Sequence, residues 1–179
     1  MLEKSGVIYH QGSLDNFCGV YSIVNAVNSL LPKPLNHYQA RELFKRILTC
    51  INSRENKVNI GQGLTVNDVA KVINEVVCSE YPIRRYKPFH GQGAMSLNEY
   101  WSTLQAELEL PKTIAFIGIS GHFTHWTTVK KVTEHNFILN DSIGIRYLNR
   151  KQCIMGSHRA RRRKRYWLYA HKTYILKAR

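Results

Sequence analysis

The feature that most constrains this chain is a change of hydrophobic period at Lys112. Before it, apolar residues recur three and four positions apart. Val20, Ile23, Val24, Val27, Leu30 and Leu31 follow Cys18 at helical spacing, and Pro32 and Pro34 end that run. Ala40, Leu43, Phe44, Ile47, Leu48 and Ile51 predict a second helix. Val66, Val69, Ala70, Ile73, Val76 and Val77 predict a third behind the capping pair Thr65 and Asp68. Ser96 and Glu99 form a capping box for a fourth, reaching about Leu108. After Lys112 the pattern is that of strands: Thr113 to Ser120, His125 to Val132, Phe137 to Leu139, Ile143 to Leu148, and an aromatic run from Tyr166 to Leu176 read as a strand pair or one bent strand. Gly156 to Arg165 reads as a basic loop. Helices followed by strands predict an α+β domain, with a helical part over about 1–110 and an antiparallel sheet over about 112–179.

The chain has 179 residues, 44% of them hydrophobic, enough for one domain with a real core and too few for two comfortable ones. No run approaches the about 18 consecutive apolar residues of a membrane span. Met1-Leu2-Glu3-Lys4 lacks the positive region and apolar run of a signal peptide. The expected compartment is the cytoplasm, or delivery by a route that uses no such signal. Cys18, Cys50, Cys78 and Cys153 form no CxxC pair, which argues against a zinc cage. No cofactor or metal is expected.

Cys18 opens the first helix, where the positive end of the macrodipole favours a thiolate. Asp15 or Asn16 is placed to cap that helix, and Gly19 leaves room for a substrate backbone. A cysteine nucleophile needs a base whose second ring nitrogen is held by an acceptor. His125 begins a strand. If strands 125–132 and 137–141 form a hairpin, Asp141 lies near the same end, with Asn140 as the rival acceptor. Alternation places Phe137, Leu139 and Asp141 on one face, which favours Asp141. His122, in a loop between strands, is the rival base. The backbone N–H of Cys18 and the side-chain amide of Gln11 are candidate donors to an oxyanion.

Gln11-Gly-Ser-Leu-Asp-Asn-Phe-Cys18-Gly19, His125-Trp126 and Leu139-Asn140-Asp141-Ser142 together resemble the papain-like cysteine peptidase superfamily, which shares the chain order Gln, Cys, His, Asn/Asp. The Asp as third member and the compact size look most like the C39-type, bacteriocin-processing peptidases and their stand-alone relatives. The resemblance runs from about residue 9 to residue 142. It implies a papain-like fold, Cys18 as nucleophile, His125 and Asp141 as the rest of the triad, and Gln11 in the oxyanion hole. It further implies a protein or peptide substrate cleaved through a thioester. Two positions depart from the pattern: the loop between Gln11 and Cys18 is longer than usual, and Ser142 stands where these peptidases commonly carry proline.

The net charge is +14, and no acidic residue follows Asp141, whereas twelve Lys and Arg do. Six of them fall in Arg159 to Arg165. Such a field attracts nucleic acid or an acidic protein. Three functions therefore stand at this level. The first is a cysteine peptidase or isopeptidase, including the bacterial effector or toxin form. The second is a non-enzymatic module that binds nucleic acid or acidic protein through the basic stretch. The third is an acyltransferase or amidase acting on a small molecule.

Overall fold

The computed structural model describes residues 7–12, 15–52, 63–156 and 163–179. Its helices are α1 (Cys18–Leu30), α2 (His37–Asn52), α3 (Val66–Val72) and α4 (Leu97–Glu109); α3 runs on through a π-helical segment, Ile73–Val77, into a last turn at Cys78–Glu80. The strands are β1 (Ile83–Tyr86), β2 (Thr113–Gly121), β3 (His125–Val132), β4 (Asn136–Asn140), β5 (Tyr147–Asn149), β6 (Cys153–Met155) and β7 (Tyr166–Ala178). They form one sheet in the order β1-β7-β2-β3-β4-β5, with β6 also paired to β7. Every pairing is antiparallel except that of β6 with β7. The chain is thus α+β.

Helix boundaries follow local chemistry. Thr65 and Asp68 form a reciprocal capping box at α3, as do Ser96 and Glu99 at α4. Each satisfies two backbone donors that a helix start leaves open. α1 stops where Leu31 turns extended before Pro32.

The sheet is covered on both faces. On one, α1, α2 and α3 pack over Ile114, Phe116, Trp126, Tyr174 and Leu176. On the other, Tyr100, Trp101 and Leu104 of α4 pack over Ala115, Ile117, Val129, Phe137, Leu139 and Ile175. Consecutive residues of β2 serve opposite cores, so the strand reads as an unbroken apolar run rather than an alternating one. Trp101 stacks on Phe137 with ring centroids 3.8 Å apart. Among the described residues no helix is long and apolar enough to cross a membrane.

The strand map differs from the sequence reading in three places and takes one of its two alternatives, the single bent strand, in a fourth. β1 lies inside the stretch expected to be mostly helical, paired to the far end of β7 (Ile83 opposite Ala178). β6 is a further strand, parallel to β7. The segment expected as a strand over 143–148 shortens to Tyr147–Asn149, because the Asp141 carboxylate accepts the N–H groups of Ile143 (2.9 Å) and Ile145 (3.1 Å) and turns the chain there. The aromatic run is one strand, β7, with a register shift against β2 between Ile117 and Ile119. Of the basic stretch, Arg159, Arg161 and Arg162 lie outside the described residues.

Candidate active site

Cys18 is the first residue of α1 and is partly exposed. The N-cap position falls on Phe17, whose side chain makes no cap hydrogen bond, and not on Asp15 or Asn16. Asp15 instead braces the approach to the helix, its two carboxylate oxygens accepting from Phe17 N–H and Gly12 N–H, each at 3.1 Å. The first turn of α1 thus places its open backbone donors beside the sulfur.

One turn on, the buried Ser22 hydroxyl donates to the Trp126 carbonyl at 2.8 Å. That bond fastens the Cys18 helix to the strand residue next to His125. Gly19 makes the approach possible. A Cβ there would lie 2.9 Å from Leu64 Cδ1 and 3.2 Å from Trp126 Cδ1. Its lack of a side chain lets Leu64 and Trp126 pack against α1. Trp126 Nε1 in turn donates to the Leu64 carbonyl at 2.9 Å.

His125 Nε2 and Asp141 Oδ2 are 2.6 Å apart, and both residues are buried. A β-bulge decides this encounter. β3 pairs with β4 as Val132 with Phe137 and Lys131 with Ile138, then shifts by one so that Val129 faces Leu139 and Thr128 faces Asn140. The shift puts Val132 and Val129, three apart, on one face of the sheet. It also brings Thr127 and His125 onto the face that carries Phe137, Leu139 and Asp141. Without the extra residue, Asp141 would oppose Thr128 and point away from His125. Thr127 confirms the register, its hydroxyl donating to Asp141 Oδ2 at 2.6 Å.

The electrostatics follow from this packing. Burial by itself disfavours the His125 cation, but the bond to Asp141 and the neighbouring Cys18 sulfur outweigh it and push its pKa up to about 9. Burial also works against the Asp141 carboxylate. The donors His125, Thr127 and Ile143 N–H win, and the group sits below the usual carboxylate range. With Nε2 held by Asp141, Nδ1 is the ring nitrogen left for Cys18.

The remaining sequence candidates are placed as follows. Asn140 donates to Ser29 Oγ at 2.7 Å and does not bond His125. His122 is exposed, its backbone N–H bonded to the Arg165 carbonyl at 3.0 Å. Gln11 lies beside the acid, its N–H donating to the Ser142 carbonyl at 2.9 Å. Its side-chain amide donates to the Asp15 carbonyl, while its Oε1 is buried without a hydrogen-bond partner. To serve an oxyanion, that amide must exchange the Asp15 carbonyl for the substrate oxygen.

Ser22, Thr127 and Asn25 were not singled out from sequence. Asn25, wholly buried on α1, accepts Tyr9 N–H at 2.8 Å and donates to the Tyr9 carbonyl at 3.0 Å, holding the extended segment that delivers Gln11. The available signal was three polar residues, Ser22, Asn25 and Asn28, recurring three apart among the apolar positions of the helix. No protein-family model and no curated protein sequence matches the chain.

Proposed function

We propose that this chain is a thiol-dependent peptidase or isopeptidase of the papain-like kind, with a Cys18-His125-Asp141 triad. The observation that carries the reading is the buried 2.6 Å bond between His125 and Asp141, with the partly exposed Cys18 as the imidazole's other side-chain partner. The resemblance to C39-type peptidases supports the same assignment.

In this mechanism Nδ1 of His125 takes the Cys18 proton, and Asp141 stabilises the imidazolium. The thiolate attacks an amide carbonyl. The oxyanion is met by the Cys18 N–H and, after its exchange, by the Gln11 amide. The imidazolium then protonates the departing amine, leaving a thioester on Sγ. Water, deprotonated by His125, releases the acid and restores the thiol.

The test is site-resolved alkylation by iodoacetamide at about pH 6, well below an ordinary thiol pKa. Cys50 and Cys78 are raised by burial and Cys153 is pushed up to about 12, so three unreactive thiols serve as internal controls. Cys18 is expected to react at least ~10-fold faster than any of them, and to lose that lead in His125→Ala. A peptide-library digest abolished by Cys18→Ala completes the assignment. Equal reactivity of all exposed thiols, unchanged by His125→Ala, sinks it.

A further inference from the structure

A second site lies where β1 meets the α3 helix. An open groove of about 790 Å³ is lined by Ala70, Asn74, Cys78, Tyr86 and His90 together with the cations Arg84, Arg85, Lys87 and Arg179. No carboxylate side chain lines it. Among the described residues none of the four cations has a carboxylate within salt-bridge distance.

Uncompensated like charges repel, so something else must hold them together. Arg85 and Lys87 are both held by the buried Tyr174 ring, the guanidinium carbon 5.8 Å and the ammonium 4.9 Å from its centroid. Arg85 Nε also donates to Asn74 Oδ1. Asn74 sits in the π-helical segment Ile73–Val77, the one interruption of regular α geometry among the described helices, of a kind that recurs at functional sites. Protection of an edge strand would need only a cation on β1 itself. Lys87 and Arg179 lie off that strand, yet they turn toward the same hollow.

We infer that this groove binds single-stranded nucleic acid through its phosphodiester backbone. An open hollow lined by cations from two strands' ends and a loop suits a thin, flexible polyanion that can follow it. The ring of Tyr86, 36% exposed and part of the groove's lining, offers a stacking surface that an acidic peptide would not use. This site is separate from the Cys18 centre and does not depend on its chemistry.

The experiment is fluorescence anisotropy with fluorescein-labelled oligo(dT) and oligo(rU) of ~16 nucleotides, titrated between about 50 and about 200 mM salt. Three or four phosphate contacts predict a log–log salt slope of about −2 to −3. The Arg84→Glu/Lys87→Glu variant should lose at least ~10-fold in affinity and about 1.4 of that slope. Arg84→Gln/Lys87→Gln, which spares the fold a charge reversal, should lose affinity in the same direction. Lys130→Glu/Lys131→Glu makes the same change in net charge three strands away and should cost less than ~3-fold. Cys18→Ala should leave binding unchanged. Preference between the two oligonucleotides separates DNA from RNA as the source of the backbone. Equal losses in the two reversal variants, or no loss in either, overturn the proposal. So does the absence of oligonucleotide binding alongside capture by phosphatidylserine vesicles or poly-glutamate.

Discussion

At the scale of single residues, the site depends on groups that orient other groups. Asp141 is held by His125 and Thr127 on one oxygen and by two backbone N–H groups on the other. Thr127→Val removes a donor to a buried carboxylate, which costs about 1–3 kcal/mol of stability. It should also slow Cys18 alkylation at about pH 6, while Thr127→Ser restores both; a chemical-denaturation midpoint and the alkylation rate check this. The sign of the pH dependence is set by the same pair. His125 titrates above its ordinary value, so its contribution is complete below about pH 6.5 and fades as pH rises toward about 9. Asp141 titrates below its ordinary value, so its contribution is complete above about pH 3.9 and fades on further acidification. Urea midpoints measured across both windows should fall at each end, and Asp141→Asn should flatten the alkaline fall. A wild-type midpoint that stays level from pH 6.5 to 9 would contradict the pairing.

Between elements, the decisive contact is α1 on β3. Ser22 bridges the helix that carries Cys18 to the strand that carries His125, at a position where no local pattern asks for serine. Ser22→Ala leaves the buried Trp126 carbonyl without this partner. The expected cost is about 1–2 kcal/mol in stability, with a larger loss in Cys18 alkylation rate than global destabilisation explains. Ser22→Thr is the rescue to try. β2 and β7 close together at Gly121, whose φ of 115° suits only glycine. A Cβ there would meet the Arg165 carbonyl oxygen at 2.4 Å. Gly121→Ala should therefore destabilise by at least ~2 kcal/mol, read from the thermal midpoint, because the obstacle is backbone. The helix caps were legible because Thr65 with Asp68 and Ser96 with Glu99 are interactions over three residues. β1 was not legible. Ile83-Arg84-Arg85-Tyr86 has one buried side chain in four, and its partner is Ile175 to Ala178, 89 to 95 residues away.

For the molecule as a whole, a charge of +14 is the dominant long-range term. Among the described residues, each ion pair outside the His125–Asp141 site has at least one solvent-exposed partner and contributes little. Self-repulsion therefore outweighs pairing, and screening should help the fold. Raising sodium chloride from about 20 to about 200 mM should raise the urea midpoint; a midpoint that falls would mean that favourable surface pairs dominate. The +14 was plain in the composition. So was its concentration after Asp141, but the groove's cluster was not, since it joins Arg84, Arg85 and Lys87 to Arg179 by pairing the first strand with the last.

By itself the sequence determined what short-range physics controls. It set the helix periods and their caps, the switch to strands after Lys112, and the residue types able to perform thiol chemistry. It also narrowed the choice of acid, because alternation put Asp141 with Phe137 and Leu139. Only the tertiary structure decided whether that face was also the face of His125. One unpaired residue near Lys130 shifts the β3–β4 register, and with a side-chain period of two, a shift of one reverses every face beyond it. Bulges arise from how two strands and both packed layers settle together, so no window along the chain contains that information. The same holds for Ser22 and Trp126, 104 residues apart and joined by one hydrogen bond.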